Sequence, residues 1–93
     1  MENKLQLELY TRSTCSDCQE AKKYLSSKGV QYEDKDVSKF PNLEEELKKI
    51  SGTRIVPMFA FYKKGLFGRK KLVKYFIGFE NNKTDIINTF NTN

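Results

Sequence analysis

The chain has 93 residues, with 17 Lys and Arg against 12 Asp and Glu, for a net charge of +5, a length that predicts a single domain over 1–93 with a modest core. Histidine is absent, which removes the commonest general base, pH switch and metal ligand. The N-terminus lacks the continuous apolar stretch of a signal peptide, and no later run is long enough to span a bilayer, so the sequence reads as cytoplasmic with no membrane partner.

Leu5-Gln6-Leu7-Glu8-Leu9 alternates with period two and predicts a strand ending near Tyr10. Thr11 to Thr14 reads as a polar loop, and a helix is expected from about Cys15. Ser16 and Gln19 have capping-box spacing. Cys18, Ala21 and Leu25 share one helical face, and Gly29 suits the left-handed position that stops a helix. Val30 to Asp36 predicts a second strand. A second helix is expected with Asn42 as cap and Glu45 at the matching position. Glu44, Glu45 and Glu46 crowd its first turn, Lys48 and Lys49 lie near its end, and that order suits the helix dipole. Leu43, Leu47 and Ile50 form its buried stripe, and Gly52 ends it.

Pro57 stands before an apolar, aromatic strand, Met58 to Tyr62. Lys63 to Arg69, with Gly65 and Gly68, reads as a turn, and Lys70 to Ile77 as a strand running back antiparallel. Gly78 breaks it. A last helix is expected over about Asn82 to Phe90, burying Ile86, Ile87 and Phe90. The order β-α-β-α-β-β-α is an α/β class. A parallel pair joined by a helix comes first, and a hairpin completes a small four-stranded mixed sheet flanked by helices. Chemistry in such sheets gathers beyond the C-terminal ends of parallel strands, where the loop carrying Cys15 is expected.

Cys15 and Cys18 are the two cysteines of the chain. A helix N-terminus presents unpaired N–H groups and the positive end of a dipole, which favours the reactive thiolate. Cys15, at the helix start, reads as the nucleophile. Cys18, one turn in and facing partly inward, reads as the resolving thiol. Arg12 adds positive potential near the sulfur, and Asp17 works against it. Two cysteines without histidine fall short of the roughly four ligands of a zinc site, so no metal site is assigned. A structural disulfide closing so short a loop would remove little unfolded-state entropy. Pro57 belongs at a strand start because it cannot donate to a ladder. A cis bond before it would instead turn the Val56 backbone toward the cysteines, where a substrate strand could pair with it. The residues alone leave both readings open.

The densest basic patch is Lys63, Lys64, Arg69, Lys70, Lys71 and Lys74. Lysines on an edge strand oppose edge-to-edge association, and the same cations suit docking of an acidic partner. Phe67 and Tyr75 nearby are a weak hint of nucleic-acid binding, but they read as hairpin and core residues, and nucleic acid is not an expected partner.

Taken together, the chain resembles a glutaredoxin. Tyr10-Thr11-Arg12-Ser13-Thr14-Cys15-Ser16-Asp17-Cys18 is similar to that family's strand, loop and active-site segment. Gly52-Thr53-Arg54-Ile55-Val56-Pro57 resembles its segment ending in a cis proline, and Gly78-Phe79 falls where the family has paired glycines. The resemblance implies a thioredoxin-like fold and a redox-active disulfide that reduces protein or mixed disulfides by dithiol exchange. It thereby implies a role in electron transport and cell redox homeostasis. It implies Arg12, Arg54, Val56, Pro57, Gly78, Phe79 and Asn81 as the residues that hold glutathione or a substrate backbone. A monomer is expected, with no metal or organic cofactor required. Glutathione, or a thioredoxin-reductase-type donor, is the implied reductant. Some members instead carry an iron–sulfur cluster on the first cysteine of two chains with two glutathiones, and Cys15 stands as the alternative ligand here.

The pattern is departed from in three places. Ser16-Asp17 replaces Pro-Tyr, Ile55 replaces threonine, and Phe79 replaces the second glycine. Gly-Phe at that point is similar to glutaredoxin-like redoxins that serve ribonucleotide reductase. Phe79 is expected to crowd the loop that receives one end of glutathione and so to weaken coupling to it. Phe59 to Gly65 also looks like the long hairpin of thioredoxins.

Overall fold

The computed structural model describes residues 5–65 and 68–91. Among these, four strands, β1 (Leu5–Thr11), β2 (Glu33–Asp36), β3 (Met58–Lys64) and β4 (Lys70–Ile77), are joined by three helices, α1 (Ser16–Ser27), α2 (Pro41–Ser51) and α3 (Lys83–Asn91). The sheet order is β2-β1-β3-β4. β1 runs parallel to β2 and antiparallel to β3, and β3 and β4 form an antiparallel hairpin. The expected order of elements is therefore the observed one.

Several boundaries differ from expectation, each for a local reason. The second strand starts at Glu33, not Val30. The Val30 N–H is spent on the Leu25 carbonyl at 3.0 Å, which makes Val30 part of the end of α1. The helix cap is Cys15 rather than Ser16: Cys15 is extended (φ −99°, ψ 113°) and its sulfur accepts from the Cys18 N–H. The second helix begins at Pro41, with Phe40 as its cap and no side-chain capping bond, so Asn42 is already helical. Proline tolerates the first helical position because an N–H there has no intrahelical partner. Gly52 closes α2 at φ 78°, a conformation costly for residues with a Cβ. β3 runs on to Lys64. A 3-10 turn over Glu80–Asn82 precedes α3, which begins at Lys83. The expected turn residue Phe67 lies outside the described residues.

Alternation along β1 sorts two apolar layers. Leu7 and Leu9 face α1 and α3, packing with Ala21, Leu25, Phe59, Phe61, Phe79 and Ile86. Tyr10 faces α2 and joins Val37, Leu47, Met58 and Ala60, with Leu43 and Ile50 against them. The hairpin register shifts once: Phe61 pairs with Lys74 but Tyr62 pairs with Leu72, so β4 carries one more residue, Val73, than β3 across that step. Leu72 thereby packs into the layer under α2, while Phe76 packs on the opposite side.

Glu8 is 5% exposed on the α2 side of β1. Lys35 pairs with one of its oxygens at 3.0 Å and Lys70 with the other, so one member of the basic hairpin patch is committed to the fold. Lys35 also reaches Glu46 at 3.1 Å, and the Tyr10 hydroxyl donates to the same Glu46 oxygen at 2.9 Å. Burial works to raise the Glu46 carboxyl, but the bonds from Tyr10 and Lys35 outweigh it and hold it below its ordinary value. Burial pulls Lys35 down, yet its bonds to Glu8 and Glu46 leave it raised, and Tyr10 is raised by burial and then by its bond to Glu46. A lowered carboxyl stabilises the fold above its unfolded value, and that contribution is lost as pH falls through the folded one. Raised Lys35 and Tyr10 contribute at neutral pH and lose their contribution only on the alkaline side. The thermal midpoint is therefore expected to fall on acidification through the carboxylate range, and Glu46→Gln to flatten that fall. Parallel acid profiles for the two proteins would contradict the assignment.

Candidate functional site

The loop after β1 delivers Cys15 to the N-terminus of α1. Its N–H donates to the Arg12 carbonyl at 3.3 Å, and its own carbonyl accepts from Gln19 at 3.2 Å. Cys15 and Cys18 are joined as a disulfide with Cα atoms 5.2 Å apart. The Cys18 N–H lies 3.1 Å from Cys15 Sγ and donates to it. A peptide N–H aimed at the sulfur, at the positive end of a helix dipole, favours negative charge there once the disulfide opens. Cys15 is half-buried and Cys18 fully buried, so the two sulfurs differ in access as the spacing predicts.

Two further segments reach this point. The Val56–Pro57 peptide is cis, and the Val56 carbonyl oxygen stands 3.9 Å from Cys15 Sγ. Pro57 is buried, and its carbonyl accepts the Gly78 N–H at 2.7 Å. Gly78 takes φ 95°, a left-handed conformation that turns the chain back beside α1. The Phe79 N–H then donates to the Asp17 carboxylate at 2.8 Å. Asn82, not Asn81, secures the turn: its amide donates to the carbonyls of Ile77 at 2.6 Å and Gly78 at 3.1 Å. Asn81 is exposed on the 3-10 turn.

The expectation that Phe79 crowds this loop is corrected. Its side chain is 3% exposed and turns inward, with ring centroids 5.6 Å from Tyr24 and 6.0 Å from Phe59. A large apolar ring gains more from that layer than from water, so the backbone N–H alone represents Phe79 at the loop.

Arg12 and Arg54 come together, but not as free cations. Both guanidiniums meet Glu44, at 3.1 and 3.5 Å, and Arg12 also donates to the Arg54 carbonyl at 3.3 Å. Glu44 reads in the sequence as one of three carboxylates suiting a helix dipole, and its clasp on two arginines has no local signal. The segments that flank the disulfide thus carry two guanidiniums clasped on Glu44 and one carboxylate, Asp17, bound to the Phe79 N–H. Ile55, at the edge, is 57% exposed.

A capping cysteine joined to a buried partner, a cis proline backbone beside the sulfur, and a left-handed glycine whose N–H is bonded to that proline come together at the disulfide. The protein-family model that fits this chain is that of glutaredoxin, over residues 7–62. Glutaredoxin 3 of Escherichia coli K12 is 41% identical over 51 residues, 55% of this chain and 61% of the relative, so the match spans less than two thirds of that protein's length. A thioredoxin from Plasmodium falciparum superposes with a TM-score of 0.67 at 23% identity, covering 99% of this chain and 73% of its own. A buckwheat glutaredoxin solved with glutathione superposes with a TM-score of 0.64 at 17% identity, covering 97% and 80%. Those two likenesses speak for a thioredoxin-like fold, and with the family match they make this chain a member of the glutaredoxin family.

Proposed function

We propose that this protein is a thiol–disulfide oxidoreductase that reduces protein or mixed disulfides by dithiol exchange through Cys15 and Cys18. The observation that carries the reading is the Cys18 N–H aimed at Cys15 Sγ from 3.1 Å, at the start of α1. In the reduced protein the Cys15 thiolate attacks one substrate sulfur. The substrate S–S bond breaks, the leaving thiolate takes a proton, and a mixed disulfide forms on Cys15. Cys18 loses its proton and attacks Cys15 Sγ, which releases the second substrate thiol and closes the Cys15–Cys18 bond. Two electrons pass from the dithiol to the substrate. The cycle is reset by two molecules of glutathione or by a dithiol of a thioredoxin-reductase-type donor.

Val56 and Pro57 flank the attacked sulfur in this reading. The Val56 carbonyl is an acceptor for a substrate backbone N–H. Arg12 and Arg54 form one rim, and Gly78 to Asn81 form the other. The cytoplasm is the compartment that suits a dithiol working against a reducing thiol pool.

A coupled assay tests the reading. Hydroxyethyl disulfide is the substrate, and NADPH oxidation is followed with glutathione plus glutathione reductase or with thioredoxin reductase. Turnover that depends on this protein is expected with at least one donor. Background rates with both would refute dithiol exchange.

A further inference from the structure

Asp17 sits between the two cysteines, and its carboxylate is bound to the Phe79 N–H at 2.8 Å. That bond places a negative charge on a backbone donor at the rim of the disulfide. With that donor occupied, a carboxylate on an incoming substrate has to compete with Asp17 for it. Charge-assisted bonds of this kind are short and about twice as strong as neutral ones, so Asp17 is a strong competitor for the position. Glu44 is set against Arg12 and Arg54, so two of the cations of a chain that carries +5 overall are already paired, while Asp17 keeps its charge on the Phe79 N–H.

We infer that Asp17 is a specificity-determining residue: by occupying the Phe79 N–H with its own carboxylate, it turns the site away from carboxylate-bearing disulfides and toward neutral or cationic ones. The inference rests on the dithiol-exchange reading for its consequence in turnover, but the local field it describes exists whether or not the protein turns over. It also gives a reason to expect weak coupling to glutathione, which the buried Phe79 side chain does not. Glutathione disulfide carries several carboxylates. Cystamine carries two ammonium groups and none.

The loop does not depend on Asp17 alone. Gly78 is bonded to Pro57, Asn82 holds two carbonyls, and the Phe79 ring is buried, so Asp17 variants retain the other ties of the loop. Asp17→Asn keeps an acceptor for the N–H and removes the charge. Asp17→Ala removes both. The ratio of kcat/KM for glutathione disulfide to that for cystamine is expected to rise about fivefold in Asp17→Ala, the scale of one unit charge acting over several ångströms at a partly exposed site. A rise in both variants assigns the effect to charge, and a rise in Asp17→Ala alone assigns it to occupation of the N–H. Either supports the inference. An unchanged ratio overturns it, as does a parallel fall for both substrates, which a merely structural role would produce.

A second measurement needs no turnover. In the reduced protein, Cys15 is alkylated with iodoacetate, an anion, and with iodoacetamide, which is neutral. Any change in thiolate fraction cancels in the ratio of the two rates. The iodoacetate-to-iodoacetamide ratio is expected to rise about fivefold in Asp17→Ala. If it stays constant, the inference fails even where disulfide exchange proceeds. If it rises while wild-type protein reduces neither disulfide, the exchange reading fails and the field at Cys15 stands.

Discussion

Cys15→Ser is expected to abolish disulfide reduction, with a loss of about a thousandfold or more, as for removal of a nucleophile that acts with a partner as a unit. Cys18 cannot replace it. Cys18 is fully buried and contacts Cys15 from beneath, so a substrate disulfide has no line of approach to its sulfur. Cys18→Ser is expected to behave differently. Cys15 keeps its place at the helix cap and still attacks, but the mixed disulfide has no internal thiol to resolve it. Protein substrates should remain attached and appear by mass spectrometry as adducts released by dithiothreitol. Small glutathionylated substrates retain a route, because a second glutathione can resolve the intermediate. In the wild-type dithiol, a limiting dose of alkylating reagent should label Cys15 first. Equal labelling of both thiols, or full dithiol activity in Cys15→Ser, would refute the division of labour.

Phe79→Ala is expected to cost about 3–5 kcal/mol of folding stability, the range for truncating a buried aromatic residue. Small domains have only about 5–15 kcal/mol in total, so the variant should be marginal at best. The ring fills the layer between α1 and the sheet beside Leu25, Phe59 and Ile86, and Lys83 Nζ lies 5.5 Å from its centroid on the outer side. Restoring the paired glycines of the wider family by Phe79→Gly should destabilise at least as much, rather than open a pocket for glutathione. Denaturant unfolding measures both. A loss below about 1 kcal/mol would mean that the ring is not the structural member its burial indicates.

The order of elements was legible because each long element repeats its apolar residues at its own period. Leu5 to Leu9 reads as a strand, and Cys18, Ala21 and Leu25 as a helix face, without any knowledge of neighbours. The place of the cysteine pair at a helix start was legible too, since the strand before it and the helix face after it fix where that start falls. What escaped depends on partners distant in the chain. The Arg12–Glu44 bond joins residues 32 apart, and the Asp17–Phe79 bond joins residues 62 apart. Neither leaves a trace in local pattern. The inward turn of Phe79 has no local signal either, because it is decided by packing against Tyr24 and Phe59, far away in the chain. Asn82 did have a local signal: an amide four residues beyond a left-handed glycine can reach back to its carbonyl. The shortened β2 and the Pro41 start of α2 were boundary matters, settled by which backbone groups were already spent.

The uneven ladder of the hairpin bears on how the chain tolerates changes in length. A strict period of two would send Leu72 and Phe76 to the same face of the sheet, yet they serve opposite layers. Val73 makes that possible by standing as a surplus residue opposite the Phe61–Tyr62 step, and it is 45% exposed. Deleting a residue within β1 or β3 would turn every side chain beyond the cut to the wrong layer. Deleting Val73 would instead join Lys74 to Leu72 in one-to-one pairing with Phe61 and Tyr62 and leave each core side chain on its present face. The hairpin is therefore a place where related chains can differ by one residue without re-sorting either layer, and an alignment gap there carries no implication for the disulfide site.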